Sequence, residues 1–228
     1  MQSAGQYLKQ NYFYLRDIRK SLALLFYLIC IPLLCSCGPW NLPAYGYIDK
    51  DDPPLKSTPM LMPENAPSIP QGFKPVLKND YDFEIAGHEG VDIKAKKYTP
   101  VIAAASGTVI DSSWGPFYGH QIIILHDTKQ GRFFVQSYYW HLSKRLLQVG
   151  DEVKRGQQIG TLGSTGLLAS YPHLHFEVRV SEIKDQTYYS PVNPHKYWTN
   201  GAGKISCYEN GKDYSTGGFS ISYPVFCK

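Results

Sequence analysis

From about residue 76 onward the chain alternates short apolar stretches with glycine-containing turns. Apolar runs occupy 101–105, 107–111, 121–126, 132–140, 157–162 and 173–180. All are of strand length and no long helical period follows residue 37, so the pattern predicts an all-β domain. The most regular run is HLHFEVRV at 173–180. Side chains alternate across a strand, so Leu174, Phe176, Val178 and Val180 share a face that belongs in a core. His173, His175, Glu177 and Arg179 share the other. A content of 18 Tyr and 10 Phe suits the half-buried, pleated surface of such strands.

The pattern upstream is different. Residues 38–75 hold nine of the chain's 16 prolines, spread among polar and small residues. That composition favours an extended tether, with a strap packed on the domain as the alternative. Ahead of it, a basic start is followed by the apolar run SLALLFYLICIPLL at 21–34, too short for a membrane span and interrupted by Pro32. It reads as the apolar region of an export signal. Leu34-Cys35-Ser36-Cys37 resembles a bacterial lipobox, in which cleavage precedes a cysteine that then carries lipid. By the same resemblance, Gly38 in place of Asp favours the outer membrane, facing the periplasm. The expected organisation is a signal over 1–36, a lipid-anchored Pro-rich linker over 37–75, a β domain over 76–200 and a C-terminal extension over 201–228.

Cysteine usage agrees with export. Cys30 and Cys35 would leave with the signal and Cys37 would be lipidated, which leaves Cys207 and Cys227 as an even pair in an oxidising compartment. A disulfide between them is expected, stapling a Gly-, Ser- and Tyr-rich tail in which Asn210-Gly211 marks a hairpin turn. The net charge of +4 belongs to the targeting segment. Four of the 23 basic residues and one of the 19 acids lie in 1–36, which leaves 19 against 18. A nearly neutral mature chain gives no electrostatic case for nucleic-acid binding.

Three short segments carry chemistry. His173 and His175 lie one strand repeat apart on the polar face. In His88-Glu89-Gly90-Val91-Asp92, residues i and i+4 share a face of an extended segment, and Gly90 lets the backbone bend so that imidazole and carboxylate converge. His141 ends the aromatic strand YYWHLS at 138–143. Alone, a His-x-His pair is commonly a surface pair and His141 a satisfied core histidine. Their coincidence in one small β domain points to a metal. Imidazole and carboxylate suit zinc, and three protein ligands with an open fourth position describe a catalytic site. Such a site generates hydroxide near neutral pH, and further histidines would orient or deprotonate the water and stabilise the intermediate. His120, His126 and His195 have no such company and are expected to be structural or surface residues.

The stretch from about 85 to 180 resembles the lysostaphin-type peptidoglycan metallopeptidases, the β-lytic endopeptidase family. The resemblance rests on HEGVDI (88–93), Thr99-Pro100-Val101 with Ala103-Ala104, Gly107-Thr108-Val109, YWHLS (139–143), VGDEVKRGQQIGTLGSTG (149–166) and PHLHFEVR (172–179). It implies a two-sheet antiparallel β fold with a peptide groove. It implies His88, Asp92 and His175 as ligands of Zn2+, and His141 and His173 as the catalytic pair. The activity implied is zinc-dependent endopeptidase cleavage of peptidoglycan cross-links or stem peptides. The partners implied are that substrate, a membrane through Cys37, and a cell-wall amidase or the division machinery. The alternative is a non-catalytic or self-inhibited regulator that binds and activates an amidase, the Pro-rich stretch being able to block the site. A wall-binding module without activity leaves the histidine pair unexplained. Two departures stand out. The segment KNDYDFEIAG before His88 is short, leaving Tyr81 as the candidate for an assisting tyrosine, and Tyr171 stands before Pro172 where a small residue is usual. GDEVKRGQQIG also resembles biotinyl and lipoyl carrier domains but lacks their modified lysine, and its glycines serve tight turns.

Overall fold

The computed structural model describes residues 60–74, 77–78, 84–85, 87–126, 128, 133–182, 189–214 and 218–228. The expected signal over 1–36, Cys37 and Tyr81 lie outside the described residues. Twelve strands follow in chain order: β1 (Leu77–Lys78), β2 (Glu84–Ile85), β3 (Val91–Lys94), β4 (Pro100–Ile102), β5 (Gly107–Gly115), β6 (Gly119–His126), β7 (Phe134–Leu142), β8 (Lys144–Arg145), β9 (Glu152–Val153), β10 (Gln158–Thr161), β11 (His173–Ser181) and β12 (Ser190–Val192). One 3-10 turn, Pro194–Lys196, is the only helix among the described residues, and none is long and apolar enough to cross a membrane.

The large sheet runs β12-β11-β7-β6-β5-β9, with β3 pairing on β11, and the smaller sheet runs β4-β10-β8. Both are antiparallel throughout. β1 and β2 pair as a separate two-stranded ladder. The alternation expected of β11 holds: Leu174, Phe176 and Val178 are fully buried. They join Val109, Ile122, Ile124 and Tyr139 from the neighbouring strands and Ile159 from the smaller sheet in one core. Burying each such side chain stabilises the fold by roughly 1.5–3 kcal/mol.

A polar chain runs through this core without an unsatisfied member. The amide of Ala104 donates to the Tyr139 hydroxyl (2.9 Å), which sits 3.0 Å from Ser137 Oγ, itself 2.7 Å from His126 Nε2. His126 Nδ1 then meets the carbonyl of Ser106 (2.9 Å). A carbonyl only accepts, so Nδ1 carries the hydrogen, Nε2 accepts from Ser137, and Ser137 accepts from Tyr139. Each group therefore has its partner, as buried polar groups require.

Two expectations on the domain's margins change. Residues 60–74 are a packed strap and not a tether: Met60 and Ile69 are buried in the core, and the strap's backbone pairs at Gln71 with Asp92 and at Lys74 with His88. The packed domain therefore includes residues 60–74, ahead of the expected boundary at residue 76. The tail is likewise part of the core, with Ile221, Tyr223 and Val225 fully buried. It lies along β4 through Ile102 N to Pro224 O (2.9 Å) and Ser222 N to Ala104 O (2.8 Å), covering a strand edge that would otherwise expose unpaired backbone. Cys207 and Cys227 form the expected disulfide. Asn210-Gly211 forms a turn, Gly211 having φ +80°, but among the described residues its flanks form no strand ladder.

Candidate metal centre

Register brings the first two groups together. His175 on β11 stands directly opposite Asp92 on β3, and cross-strand partners share a face. His88 enters from the segment before β3. Its Nε2 lies 3.1 Å from both Asp92 Oδ1 and His175 Nδ1, and Nδ1 of His175 lies 2.8 Å from the same Oδ1. All three side chains are buried. Gly90 is needed for a reason other than bending: a Cβ there would stand 2.4 Å from the Phe176 carbonyl and 3.0 Å from His175 Nε2. Only glycine lets this segment lie so close against β11.

Hydrogen bonds on the outer side decide what faces inward. Nδ1 of His88 meets the Gly72 carbonyl at 2.8 Å, so it carries the hydrogen and Nε2 presents a lone pair. Nε2 of His175 meets Glu177 Oε1 at 2.9 Å, which turns Nδ1 inward. Burial opposes charge on His175, but Asp92 and Glu177, one against each ring nitrogen, outweigh it and pull its pKa up to about 9. Burial also works against the Asp92 carboxylate, yet the two imidazoles hold it far below the usual range. A proton on His175 Nδ1 satisfies its contact with Asp92, but His88 Nε2 and Asp92 Oδ1, 3.1 Å apart, remain two acceptors that a shared cation would reconcile. Three ligands of a tetrahedral ion with bonds of ~2.0–2.1 Å would stand ~3.3 Å apart. The donor set and its spacing therefore suit a small divalent cation, and Asp92 Oδ2, buried and without a hydrogen-bond partner, is a second oxygen on the same carboxylate.

His173 and His141 flank the three. His173 is fully buried, with Nδ1 2.7 Å from the Tyr171 carbonyl. Its Nε2 has no hydrogen-bond partner and lies 3.7 Å from Asp92 Oδ1. His141 has Nδ1 2.9 Å from the Thr165 carbonyl, and its ring centre lies 4.8 Å from that of His173. In both, Nδ1–H is held by a backbone carbonyl, so each Nε2 is a base. Burial and then the neighbouring imidazoles push the pKa of His141 down to about 3. Burial likewise lowers that of His173, against the opposing pull of Asp92. Both rings are neutral near pH 7.

His141 reaches this face through a backbone irregularity. The pairing of β6 with β7 shifts between His120 and Ile122, so Trp140 and His141 together oppose Gln121, and His141 has φ +62°. A bulge places two successive side chains on one face, and a left-handed φ on a non-glycine residue costs about 1–3 kcal/mol that the surroundings must hold. Trp140 stacks on His175 (5.0 Å, 12°) and Tyr118 on Trp140 (3.9 Å).

Of the remaining histidines, His126 and His195 are buried away from the centre, and Trp198 Nε1 donates to His195 Nδ1 (2.9 Å). The backbone amide of His120 is bonded to Thr165 Oγ1. Tyr171 contributes through its carbonyl and by its ring lying 4.5 Å from that of His173. Sequence reasoning assigned no role to Glu177 and Arg179, although strand alternation had already set them on the polar face. Glu177 is fully buried, and Arg179 Nε reaches its Oε2 at 2.5 Å while Nη2 reaches Glu89 at 2.8 Å. The first of these ion pairs neutralises a carboxylate whose work is to orient His175, and the second holds the guanidinium in place. Gly72, the other outer support, left no sequence signal, because it acts through its backbone.

Comparison with known proteins adds the last step. Residues 86–194 match the profile of peptidase family M23. The chain is similar to the peptidoglycan DD-endopeptidase ShyC of Vibrio cholerae serotype O1, 34% identical over 138 residues, which is 60% of this chain and 30% of that protein. It is similar to lysostaphin of Staphylococcus simulans, 39% identical over 106 residues, 46% of this chain and 20% of that protein. Among solved structures, a zinc-containing peptidase from Vibrio cholerae aligns at 32% identity over 57% of this chain and 38% of that one, with a TM-score of 0.46. The chain thus spans less than a third of the length of these curated relatives. Residues 86–194 are a peptidase family M23 domain of the lysostaphin type.

Proposed function

We propose that the chain is a zinc-dependent endopeptidase that hydrolyses peptide bonds in the cross-links or stem peptides of bacterial peptidoglycan. The observation that carries this is the convergence of His88 Nε2, Asp92 Oδ1 and His175 Nδ1 within 3.1 Å, beside two neutral imidazoles. On this reading His88, Asp92 and His175 hold zinc, which when bound supplies a Lewis acid and an acidified water. His141 and His173 do the proton work. With Nδ1–H fixed on the Thr165 and Tyr171 carbonyls, each is a neutral imidazole with a free Nε2 lone pair, able to take the water's proton and, once protonated, to donate it to the leaving amine. Trp140, stacked on His175, and Tyr118, stacked on Trp140, line one side of the site. The activities of the relatives, peptidoglycan DD-endopeptidase among them, support the substrate class.

The same proposal places the chain outside the cytoplasm, anchored through Cys37 to the outer membrane and facing the periplasm. The lipobox-like segment supports this, and a Cys207–Cys227 disulfide suits an oxidising compartment. An amidase or the division machinery is the partner to look for. The regulator alternative has no observation in its favour.

The test is zinc content and muropeptide release by the full chain, beside His88→Ala and His141→Ala. Zinc near one per chain, lost in His88→Ala and kept in His141→Ala with both inactive, is the expected result. A chain that binds no zinc and releases nothing would end the proposal.

A further inference from the structure

The face that carries the metal centre continues well past it. Glu177 pairs with Tyr138, Tyr138 with Ile123, and Ile123 with Asp111. Cross-strand partners share a face, so these four side chains form one row across β11, β7, β6 and β5. One level along, a second row begins at His175 and Trp140 and reaches Gln121 and Ser113 beyond the bulge. Beneath both rows the opposite face is core, with Val109, Ile122, Ile124 and Tyr139 buried.

The far end of these rows is a polar group that the chemistry at the metal centre does not use. Gln121 Nε2 donates to Asp111 Oδ2 at 2.7 Å and to Ser113 Oγ at 2.9 Å, and Ser113 Oγ donates to the same Oδ2 at 2.9 Å. Both donors thus act on one carboxylate oxygen, and among the described residues Oδ1 has no hydrogen-bond partner. Among the described residues no Lys, Arg or His pairs with Asp111, whereas Glu177 and Glu89 on the same face share Arg179. The Asp111 side chain is neither buried nor free to swing: it is half-exposed and clamped by two neutral groups. A fixed carboxylate with one open oxygen and no cation among the described residues is suited to receive an ammonium group.

Its distance from the metal centre suits a peptide. Three interstrand steps at ~4.8 Å put β5 ~14 Å from β11, a span that about four residues of extended chain cover at ~3.3 Å each. We propose that Asp111, oriented by Gln121 and Ser113, is a specificity subsite for a side-chain ammonium of the substrate, so that the protein prefers peptides bearing a free diamino-acid amine about four residues from the scissile bond. This rests on the peptidase reading and names a substrate feature that the reading leaves open.

The experiment uses the full chain loaded with zinc, in a His141→Ala background so that peptides stay intact. Three stem-peptide mimics share one sequence, and their diamino-acid side chain ends in a free ammonium, an acetamide or a succinyl carboxylate. Calorimetric Kd values are expected to favour the ammonium over the acetamide by about ten-fold, the contribution of one charged hydrogen bond. Asp111→Asn should bring that ratio near one, and Asp111→Lys should turn the preference toward the succinyl peptide. Equal binding of all three peptides, no binding of any, or a preference that survives in Asp111→Asn would overturn the proposal. Muropeptide release is scored separately in the unsubstituted chain, so loss of the ammonium preference and absence of hydrolysis remain distinct failures.

Discussion

At the scale of single residues, the site is governed by which nitrogen of each imidazole is turned inward, and that is set from behind. Glu177 is the test. In Glu177→Gln the amide can still donate or accept, so the ring of His175 is no longer compelled to present Nδ1 as an acceptor. Loss of such an outer-shell partner is expected to weaken zinc 10–100-fold, read by competition with a chromophoric chelator, with the folded state retained. An unchanged zinc affinity would show that stacking on Trp140 alone orients the ring. A second residue-scale prediction concerns His126 and His195, far from the metal. Burial depresses both to about 4. Their neutral forms are native, so the stability they contribute is complete above the unfolded value near 6.5 and is lost as pH falls from there toward 4. Each is worth on the order of 3 kcal/mol over that window. The urea midpoint should drop steeply between pH 6.5 and 4.5, and the His126 ring resonance should not titrate above pH ~5.

At the scale of elements, what was legible in the sequence follows from periodicity. A strand's period of two is a strong signal, so the core face and the polar face of β11 were readable, and with them the neighbourhood of His173, His175, Glu177 and Arg179. Asp92 was readable as a candidate because it stands four residues after His88, on the same face of an extended segment. His141 was not readable by the same rule, since alternation would send it to the face opposite Trp140. It took the bulge and its φ of +62° to bring it round, and a one-residue insertion leaves no periodic trace. The strap was misjudged for a related reason: it joins the domain through isolated backbone bridges, not a ladder, and proline-rich composition masks two buried anchors, Met60 and Ile69. The self-inhibited alternative implies that removing the Pro-rich stretch raises activity, whereas the contacts of 60–74 give their removal a different expected outcome. A chain cut after Lys74 loses Ile69 from the core, about 2–5 kcal/mol by analogy with large-to-small core substitutions, and the Gly72 carbonyl from His88. Lower thermal stability together with weaker zinc is the expected pair of outcomes. Higher peptidase activity in the shorter chain would instead restore the blocking role.

At the scale of the whole molecule, the two ends of the packed chain hold each other and, through the strap, the metal centre. Leu61 pairs with Lys204, the amide of Lys228 donates to Asn65 O (2.9 Å), and Tyr223 OH donates to Pro67 O (2.6 Å). The tail thus clasps the strap a few residues before Gln71 and Gly72, which meet Asp92 and His88. The Cys207–Cys227 disulfide closes a loop over a sequence separation of 20 on this tail. By chain entropy such a loop is worth about 3 kcal/mol. For a domain of this size that is a Tm shift of roughly 6–12 °C, and reduction or a Cys207→Ala/Cys227→Ala double substitution should lower Tm by that amount. If strap, tail and sheet melt as one unit, zinc release must follow the same curve as the fluorescence of Trp198, which is buried against Tyr223 in the tail. Coincident transitions, both moved down together by reduction, would show that the tail stabilises the metal centre through the strap. Zinc retained above the Trp198 transition would separate them, and would confine the role of the disulfide to anchoring the tail on β4.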